Sequence, residues 1–251
     1  MTIRALNVAI AAGGRVEGSL SASMETPIKA LASVGERTML ERTITAAADL
    51  GARRIVVLGS SEVAANCDGR VARILPDAGN GAVNILACLR AFSDEKDATP
   101  TLVLSSDLPY IDAEKLADFL RRAPEDAVSM PLCSGDAYQL RFPGAPINGV
   151  LLSGERIVNG GALLIPQRAI ERVAASASAF FEARKSPLRM AMLAGAPMLL
   201  AHLFKRVTIE GIERRASAIL QFKSCAVRDC APELCFDVDG IEEYRYALQA
   251  N

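Results

Sequence analysis

A glycine loop and two acidic segments are the parts of this sequence whose residue types and spacing could do chemistry. The first apolar run, LNVAIAA, ends in the glycine loop AAGGR, which covers 11–15. Backbone N–H groups of a glycine loop that follows a strand can hold phosphate oxygens. The next basic residue after Arg15 is Lys29, so two cations could surround a polyphosphate. The alternative is an ordinary strand-to-helix turn with two surface charges.

The glycine loop fits neither of two common phosphate motifs. A dinucleotide fingerprint, GxGxxG, that starts at Gly13 requires glycine where Arg15 stands. A P-loop, GxxxxGK[ST], fits Gly13 and Gly18 but requires lysine where Ser19 stands. The sequence therefore predicts a phosphate loop of another kind.

The first acidic segment is SSDLPYID, in which Asp107 directly follows the apolar run TLVLSS. If that run is a parallel strand, the Asp107 carboxylate lies at the carboxyl edge of the sheet, where ligands of such sheets bind. Mg²⁺ prefers oxygen ligands and is commonly held by one or two carboxylates together with substrate phosphates. The alternative is a turn aspartate before Pro109, with Asp112 capping the following helix.

The second acidic segment is FDVDGIEEY, near the end of the sequence. Asp237 and Asp239 would share one face of a strand, because side chains alternate with period two, and either could meet Asp107 across the sheet. A competing interpretation makes Asp239 the N-cap of the last helix, with Glu242 as its capping partner. The stretch 237–239 also has the DxD form of a glycosyltransferase metal motif.

Alternating strand-like and helical runs must position these groups. The strand-like runs LNVAIAA, RRIVVLGS, VARILP and TLVLSSD alternate with the helical runs MLERTITAAADLG, NILACLRAF and AEKLADFLRR. This alternation predicts βαβ units and a mostly parallel sheet. The runs that end at Ala11, Leu58 and Ser105 lack polar alternation, which is typical of strands buried on both faces.

The pattern changes from Ala127 onwards. Short extended pieces, AVSMPL, YQLRF, GVLLSGERIV and GGALLIP, are separated by glycine and proline and predict antiparallel additions that make the sheet mixed. Helices are predicted over about 167–183, 187–204 and 209–220, followed by two short strands and a last helix from Ile241. No repeat or linker composition interrupts the chain. The sequence therefore predicts one domain over 1–251, with a helical insertion at about 167–220.

Composition narrows the class of protein. The formal net charge is −1, from 28 Lys and Arg against 29 Asp and Glu, which argues against a nucleic-acid partner. Six cysteines are scattered through a chain long enough to bury its own core, so reduced thiols are expected. The first residues lack the pattern of a signal peptide. We expect a cytoplasmic protein.

The apolar segment 185–206 is rich in Leu and Met and is flanked by basic residues. Its longest apolar run, 190–204, is shorter than the roughly 20 residues of a spanning helix and contains Gly195 and Pro197. Core packing is the favoured interpretation, because such residues at helical spacing are usually interior. The alternatives are a wall of the acceptor pocket, a homodimer interface and a peripheral membrane contact.

Taken together, four segments resemble the MobA-like NTP transferase family, typified by enzymes that attach a nucleotide to molybdenum cofactor. The matching segments are AAGGR, PIKAL with VGERTMLERTI, SSDLPYID and DVDGIEEY. The resemblance implies an α/β fold of the nucleotide-diphospho-sugar transferase (GT-A) type. In that fold, a Rossmann-like three-layer αβα sandwich encloses a mixed, mostly parallel sheet.

The resemblance also implies roles for individual residues. The triphosphate would be held by the glycine loop, through Ala11, Ala12, Gly13, Gly14 and Arg15. Lys29 would approach the α-phosphate, and Asp107 would bind Mg²⁺ with Asp239 or Asp237 as second ligand. Weaker candidates for contacts with the base are Gly79, Asn80, Gly81 and Asn84. Weak candidates on the acceptor side are Asn159, Gly160 and Gly161.

The implied activity is Mg²⁺-dependent transfer of a nucleoside monophosphate from an NTP to a phosphorylated small molecule, with release of pyrophosphate. The expected partners are therefore an NTP donor and a phosphorylated acceptor. Two other functions stay open at this point. One is a glycosyltransferase of the same fold that uses a nucleotide sugar, and the other is a nucleotide-binding regulator without catalysis, because one scaffold serves many functions.

Overall fold

The computed structural model describes residues 5–79, 81–92, 98–183, 186 and 206–250. Its strands are β1 (Asn7–Ala11), β2 (Ser33–Val34), β3 (Arg37–Thr38), β4 (Arg54–Gly59), β5 (Arg73–Pro76), β6 (Thr101–Ser105), β7 (Val128–Ser134), β8 (Val150–Leu152), β9 (Glu155–Asn159), β10 (Ala162–Ile165) and β11 (Ser224–Val227). Its α-helices are α1 (Gly18–Met24), α2 (Met39–Asp49), α3 (Ser61–Ala65), α4 (Gly81–Arg90), α5 (Ala113–Arg122), α6 (Gly135–Arg141), α7 (Ile170–Ala183), α8 (Ile209–Leu220) and α9 (Ile241–Gln249). Short 3-10 helices cover Lys29–Leu31, Gln167–Ala169 and Pro232–Leu234.

The larger sheet is mixed, as predicted. Its order is β5-β4-β1-β6-β10-β7-β9-β8, with β11 paired to β7. Strands β5, β4, β1 and β6 are parallel to one another, whereas β10 runs antiparallel to both β6 and β7. The pair β2–β3 forms a separate small hairpin. The predicted glycine-loop strand therefore lies in the centre of the parallel half, between β4 and β6.

Helices cover both faces of the sheet. Successive side chains of a strand point to opposite faces, so the apolar residues of one strand pack into two different cores. In β1, Val8 and Ile10 belong to a core with α2 and α5, whereas Ala9 belongs to a second core with α4 and α7. All three residues are fully buried. This arrangement confirms the predicted three-layer αβα architecture and explains why these strands show no polar alternation.

Local capping signals fix several helix starts. The Thr38 hydroxyl accepts a hydrogen bond from the Glu41 N–H at 3.1 Å and begins α2. The Asp112 carboxylate accepts from the Lys115 N–H at 2.9 Å and begins α5, as the sequence predicts. Side-chain acceptors at the N-cap satisfy backbone donors that have no partner within the helix.

Two sequence predictions of secondary structure are wrong. The run YQLRF forms the end of α6 and its C-cap, Phe142, and is not a strand. The Ser134 hydroxyl caps the start of the helix, at 3.1 Å from the Ala137 N–H, and the Tyr138 and Phe142 rings pack inside. The stretch 236–239 is also irregular where a strand was predicted. The N-cap of α9 is Gly240, so the predicted capping role of Asp239 is wrong too.

The six cysteines are free thiols, four of them buried. None of the helices in the described part of the chain has the length and hydropathy of a membrane span. The stretch 187–204 lies outside the described residues. The favoured core packing of 185–206 stays a prediction, and so do its alternatives, an acceptor-pocket wall, a homodimer interface and a peripheral membrane contact. The helix over 187–204 stays a prediction as well.

Candidate functional site

The carboxyl ends of β1 and β6 bring the glycine loop and Asp107 to one edge of the sheet. The two strands pair in parallel, with Ala11 opposite Ser105. Directly after that pair, the buried Ser106 hydroxyl donates a hydrogen bond to the Ala11 carbonyl at 2.9 Å. The glycine loop and the Asp107 segment therefore begin next to each other.

The glycine loop runs side by side with the segment that carries Lys29. The Val16 N–H donates to the Pro27 carbonyl at 2.8 Å, and the Lys29 N–H donates to the Gly14 carbonyl at 3.0 Å. Arg15 forms an antiparallel bridge with Ile28 and is itself exposed. This pairing places both predicted cations, Arg15 and Lys29, beside the loop.

The ammonium group of Lys29 lies between two carboxylates. Its Nζ is 2.7 Å from Asp107 Oδ2 and 2.8 Å from Asp239 Oδ1. The side chains of Lys29 and Asp107 are 15% and 14% exposed, whereas that of Asp239 is 58% exposed. Burial lowers the pKa of Lys29, but the Asp107 and Asp239 carboxylates raise it by more, so the pKa lies above its ordinary value. Lys29 is therefore a cation at neutral pH.

The Asp107 carboxylate is held through both of its oxygens. The Ser105 hydroxyl donates a hydrogen bond to Oδ1, while Oδ2 faces Lys29. Ser105 is itself fixed, because its N–H donates to the Gly161 carbonyl at 2.8 Å. A carboxylate oriented in this way needs little rearrangement to meet a cation.

The segment 236–239 reaches the site through its backbone. The Val238 N–H donates to the Asp107 carbonyl at 3.0 Å, which sets Asp239 against Lys29. Asp237 lies beside them and is half-buried. Burial raises the pKa of Asp237 to about 7, and the neighbouring Asp239 and Asp107 carboxylates add to the rise. The sequence left these two acids unranked, and the structure gives the ion pair with Lys29 to Asp239.

A second polar cluster follows β5, on the opposite side of β1 from β6. The Asn84 amide donates to Asp77 Oδ1 at 2.6 Å, and the Gly79 N–H donates to the same oxygen at 2.8 Å. A Cβ at Gly13 would lie 2.9 Å from Asn84 Nδ2 and 3.3 Å from Asp77 Oδ1. Gly13 therefore allows the loop to approach this cluster. Of the predicted base-side residues, Gly81 begins α4 and Asn80 lies outside the described residues.

Sequence reasoning missed Asp77. The residue comes directly after β5, and its N–H donates to the Gly59 carbonyl at 3.1 Å. It thus ends a strand of the same parallel group as Asp107. An aspartate at the carboxyl end of a predicted parallel strand was the signal that could have found it.

The three predicted acceptor-side residues have different surroundings. Asn159 ends β9 with its side chain exposed. The Gly160 N–H donates to the Pro131 carbonyl at 2.8 Å, and the Gly161 N–H donates to the Leu234 carbonyl at 2.9 Å. A Cβ at Gly160 would lie 2.6 Å from the Leu234 carbonyl oxygen. Close backbone packing is thus a sufficient reason for glycine at position 160.

Replacement of Gly160 tests this packing role. We expect Gly160→Ala to lower the free energy of unfolding by about 1–3 kcal/mol, because the added methyl group overlaps a backbone oxygen. Urea unfolding followed by circular dichroism measures the loss. Gly69→Ala is the matched control, since a Cβ there meets nothing within 4 Å. Equal stability of the two variants would refute the packing explanation.

The acidic residues present fit Mg²⁺ with phosphate as co-ligand. Among the described residues, no group of three or more His, Cys, Asp and Glu side chains converges as a complete metal site. Two carboxylate oxygens, from Asp107 and Asp239, do converge on one cation position, which the Lys29 ammonium holds. Mg²⁺ is commonly bound by one or two carboxylates, water and substrate phosphates. Two protein carboxylates therefore agree with a Mg²⁺ ion that takes its other ligands from water and substrate phosphates.

Comparison with known proteins gives one family match. Residues 8–178 match the family described as "MobA-like NTP transferase domain". The match includes the glycine loop, Lys29, Asp77 and Asp107, whereas Asp239 lies beyond it. No curated protein matches the sequence.

Solved structures share the fold over nearly the whole chain. A hypothetical transferase from Thermus thermophilus superposes with a TM-score of 0.81 at 28% identity, covering 94% of this chain and 98% of that one. The 2-C-methyl-D-erythritol 4-phosphate cytidylyltransferase from the same organism gives 0.56 at 15% identity, covering 98% of both chains. CTP:phosphocholine cytidylyltransferase from Streptococcus pneumoniae gives 0.58 at 10% identity, covering 98% and 99%. The last two likenesses show the Rossmann-like fold alone.

Proposed function

The chain belongs to the family of MobA-like NTP transferase domains and is a nucleotidyltransferase, and we propose that it moves a nucleoside monophosphate from an NTP to a phosphorylated small molecule. Pyrophosphate leaves, and the reaction depends on Mg²⁺. The observation that supports this proposal most directly is the Lys29 ammonium between Asp107 and Asp239, beside the glycine loop. It combines a phosphate-binding cation with two metal-ligating acids at one edge of the sheet.

In the proposed reaction, a phosphate oxygen of the acceptor attacks the α-phosphorus, and the bond from that phosphorus to pyrophosphate breaks. No covalent protein nucleophile is required. The backbone N–H groups of the glycine loop and the Arg15 guanidinium hold the triphosphate, and Lys29 stabilises charge on the α-phosphate. Asp107 and Asp239 would hold Mg²⁺. When bound, Mg²⁺ supplies further positive charge opposite the phosphate oxygens.

The polar cluster of Asp77, Gly79 and Asn84 is the proposed contact with the nucleobase. It lies against Gly13 and follows β5, which is on the opposite side of β1 from β6 and Asp107. Asp77 Oδ1 already accepts two hydrogen bonds, from Asn84 and Gly79. The cluster is therefore ordered before a nucleotide binds, which lowers the entropy cost of recognition.

The phosphorylated acceptor is proposed from the likeness to known enzymes. Phosphocholine and 2-C-methyl-D-erythritol 4-phosphate, the substrates named for two structural neighbours, are both phosphorylated small molecules. Asn159 is the acceptor-side candidate with an exposed side chain. A phosphorylated acceptor also agrees with a reaction that requires no catalytic base for the attacking oxygen.

The donor is tested by thermal unfolding with CTP, GTP, ATP and UTP in turn, each with and without Mg²⁺. A ligand at about 100 times its dissociation constant stabilises the folded protein by about 2.7 kcal/mol. In a domain of this size that raises the unfolding midpoint by roughly 5–10 °C. We expect one NTP to give a Mg²⁺-dependent shift and then to release pyrophosphate when phosphorylated acceptors are added.

Other outcomes of the same series separate the alternatives. A shift with a nucleotide sugar and with no NTP would favour a glycosyltransferase, for which Asp237 and Asp239 would form the DxD motif. A shift with an NTP but no pyrophosphate release with any acceptor would favour a nucleotide-binding regulator. No shift with any nucleotide would remove the assignment of the glycine loop to phosphate binding.

A further inference from the structure

We propose that Lys29 occupies the divalent-cation position of the nucleotide-free protein, so that a metal ion enters only when a bound triphosphate draws the ammonium group away. The inference rests on the proposed function and deepens it, because it states how the metal and the nucleotide depend on each other. It follows from three observations: the position of the ammonium group, the charges around it and the place where its side chain starts.

The ammonium group lies where a bridging cation would lie. Lys29 Nζ is within hydrogen-bond distance of one oxygen from Asp107 and one from Asp239, at 2.7 and 2.8 Å. Both oxygens point to the same position from segments far apart in sequence. Carboxylates that converge in this way favour a cation, and a divalent ion would use the same oxygens. The two cations therefore exclude each other at this position.

The charges around the position make the competition strong. Asp107 and Lys29 are both mostly buried, so water screens their attraction little. The Ser105 hydroxyl holds the other oxygen of Asp107 and prevents the carboxylate from turning away. Removal of the Lys29 charge would leave two carboxylates facing one another without a cation between them. Such an arrangement binds a divalent ion more tightly than one already neutralised.

The Lys29 side chain starts beside the glycine loop. The Lys29 backbone N–H donates to the Gly14 carbonyl at 3.0 Å. A Cβ built at Gly14 would lie 3.8 Å from the Lys29 Cβ, which is ordinary contact distance. Phosphates held by the loop would therefore lie within reach of the ammonium group. In the exchange, Lys29 leaves the carboxylates for a phosphate, and no covalent bond forms or breaks.

The test is direct binding of Mn²⁺, without nucleotide, to Lys29→Met and to the wild type, measured by titration calorimetry. We expect Lys29→Met to bind Mn²⁺ about tenfold more tightly or better, because a neighbouring unit charge changes ionic equilibria by one to three powers of ten. Lys29→Arg keeps the charge and is expected to bind Mn²⁺ as weakly as the wild type.

Lys223→Met is the matched control for the loss of a lysine. Lys223 also pairs with an aspartate, Asp126, at 3.0 Å, but both side chains are exposed and away from the site. It is expected to leave Mn²⁺ affinity unchanged. If Lys29→Met fails to fold, Lys29→Gln removes the charge while keeping a donor for the carboxylates. Added Mn²⁺ should raise the unfolding midpoint of either neutral variant more than that of the wild type.

The outcomes distinguish this inference from the proposed function. Equal Mn²⁺ affinity of Lys29→Met, Lys29→Gln and the wild type would overturn it, even if the wild type releases pyrophosphate. A gain that persists when Asp107→Asn is added would overturn it as well, because the ion would then bind elsewhere. A gain that Asp107→Asn abolishes supports the exchange. If that gain occurs in a protein that releases no pyrophosphate, the proposed function alone fails.

Discussion

Asp107→Ala is expected to lower the rate of pyrophosphate release by about a thousandfold, the cost of removing a principal electrostatic group from an active site. Asp107 forms the more buried of the two ion pairs with Lys29, at 2.7 Å. Its other oxygen accepts from Ser105, so the carboxylate is fixed where the proposed metal would lie. The rate is measured by a coupled pyrophosphate assay at saturating NTP and Mg²⁺.

The same variant is expected to keep its fold. Lys29 retains Asp239 as a partner at 2.8 Å, so its charge is not left without a counterion. Circular dichroism and urea unfolding check this expectation, and Asp107→Asn provides a variant of nearly the same shape. Asp126→Ala removes an exposed aspartate that pairs with Lys223 and should keep the wild-type rate. Wild-type turnover of a folded Asp107→Ala protein would end the metal-ligand assignment.

Phe236→Ala is expected to lower the free energy of unfolding by about 3–5 kcal/mol, the usual cost of removing a buried aromatic ring. Phe236 is fully buried and immediately precedes the stretch that carries the second acid. Its ring centroid lies 4.9–5.9 Å from those of Phe142, Tyr110, Tyr246 and Tyr138. Because Phe236 is the buried neighbour in sequence of 237–239, the substitution should also weaken Mg²⁺-dependent nucleotide binding.

Urea unfolding measures the predicted loss of stability. Leu140→Ala is the surface control, since Leu140 is 84% exposed and should change stability by no more than about 0.5 kcal/mol. A loss of less than about 1 kcal/mol for Phe236→Ala, well below the usual cost of a large-to-small core substitution, would contradict the view that aromatic packing anchors the acidic segment.

Local sequence signals predicted the elements well where neighbours along the chain decide the outcome. The structure starts α2 and α5 at the first residues of the predicted helical runs, Met39 and Ala113. It also gives α8 the predicted bounds, Ile209–Leu220. The central strands were also predicted from the local sequence. A strand that is covered on both faces buries every residue, so it appears as an apolar run without polar alternation.

The run YQLRF shows where local reasoning failed. Its alternating apolar residues fit a strand, but five residues are too few to distinguish the hydrophobic repeat of a strand from that of a helix. The structure makes it helical because Ser134 caps the first turn and Tyr138 and Phe142 enter the aromatic cluster. Both causes lie outside these five residues, because the Ser134 cap precedes them and the aromatic partners Tyr110 and Phe236 come from distant segments.

The sequence by itself determined the layered α/β fold, the family and the glycine loop with Lys29 and Asp107. Only the tertiary structure gave Asp239 the ion pair with Lys29, 210 residues away, and showed that Asp77 lies beside Gly13. The physical reason is the range of the interactions. Capping, turn formation and burial periodicity act between near neighbours, whereas the site depends on which strand ends and loops the packed core brings together.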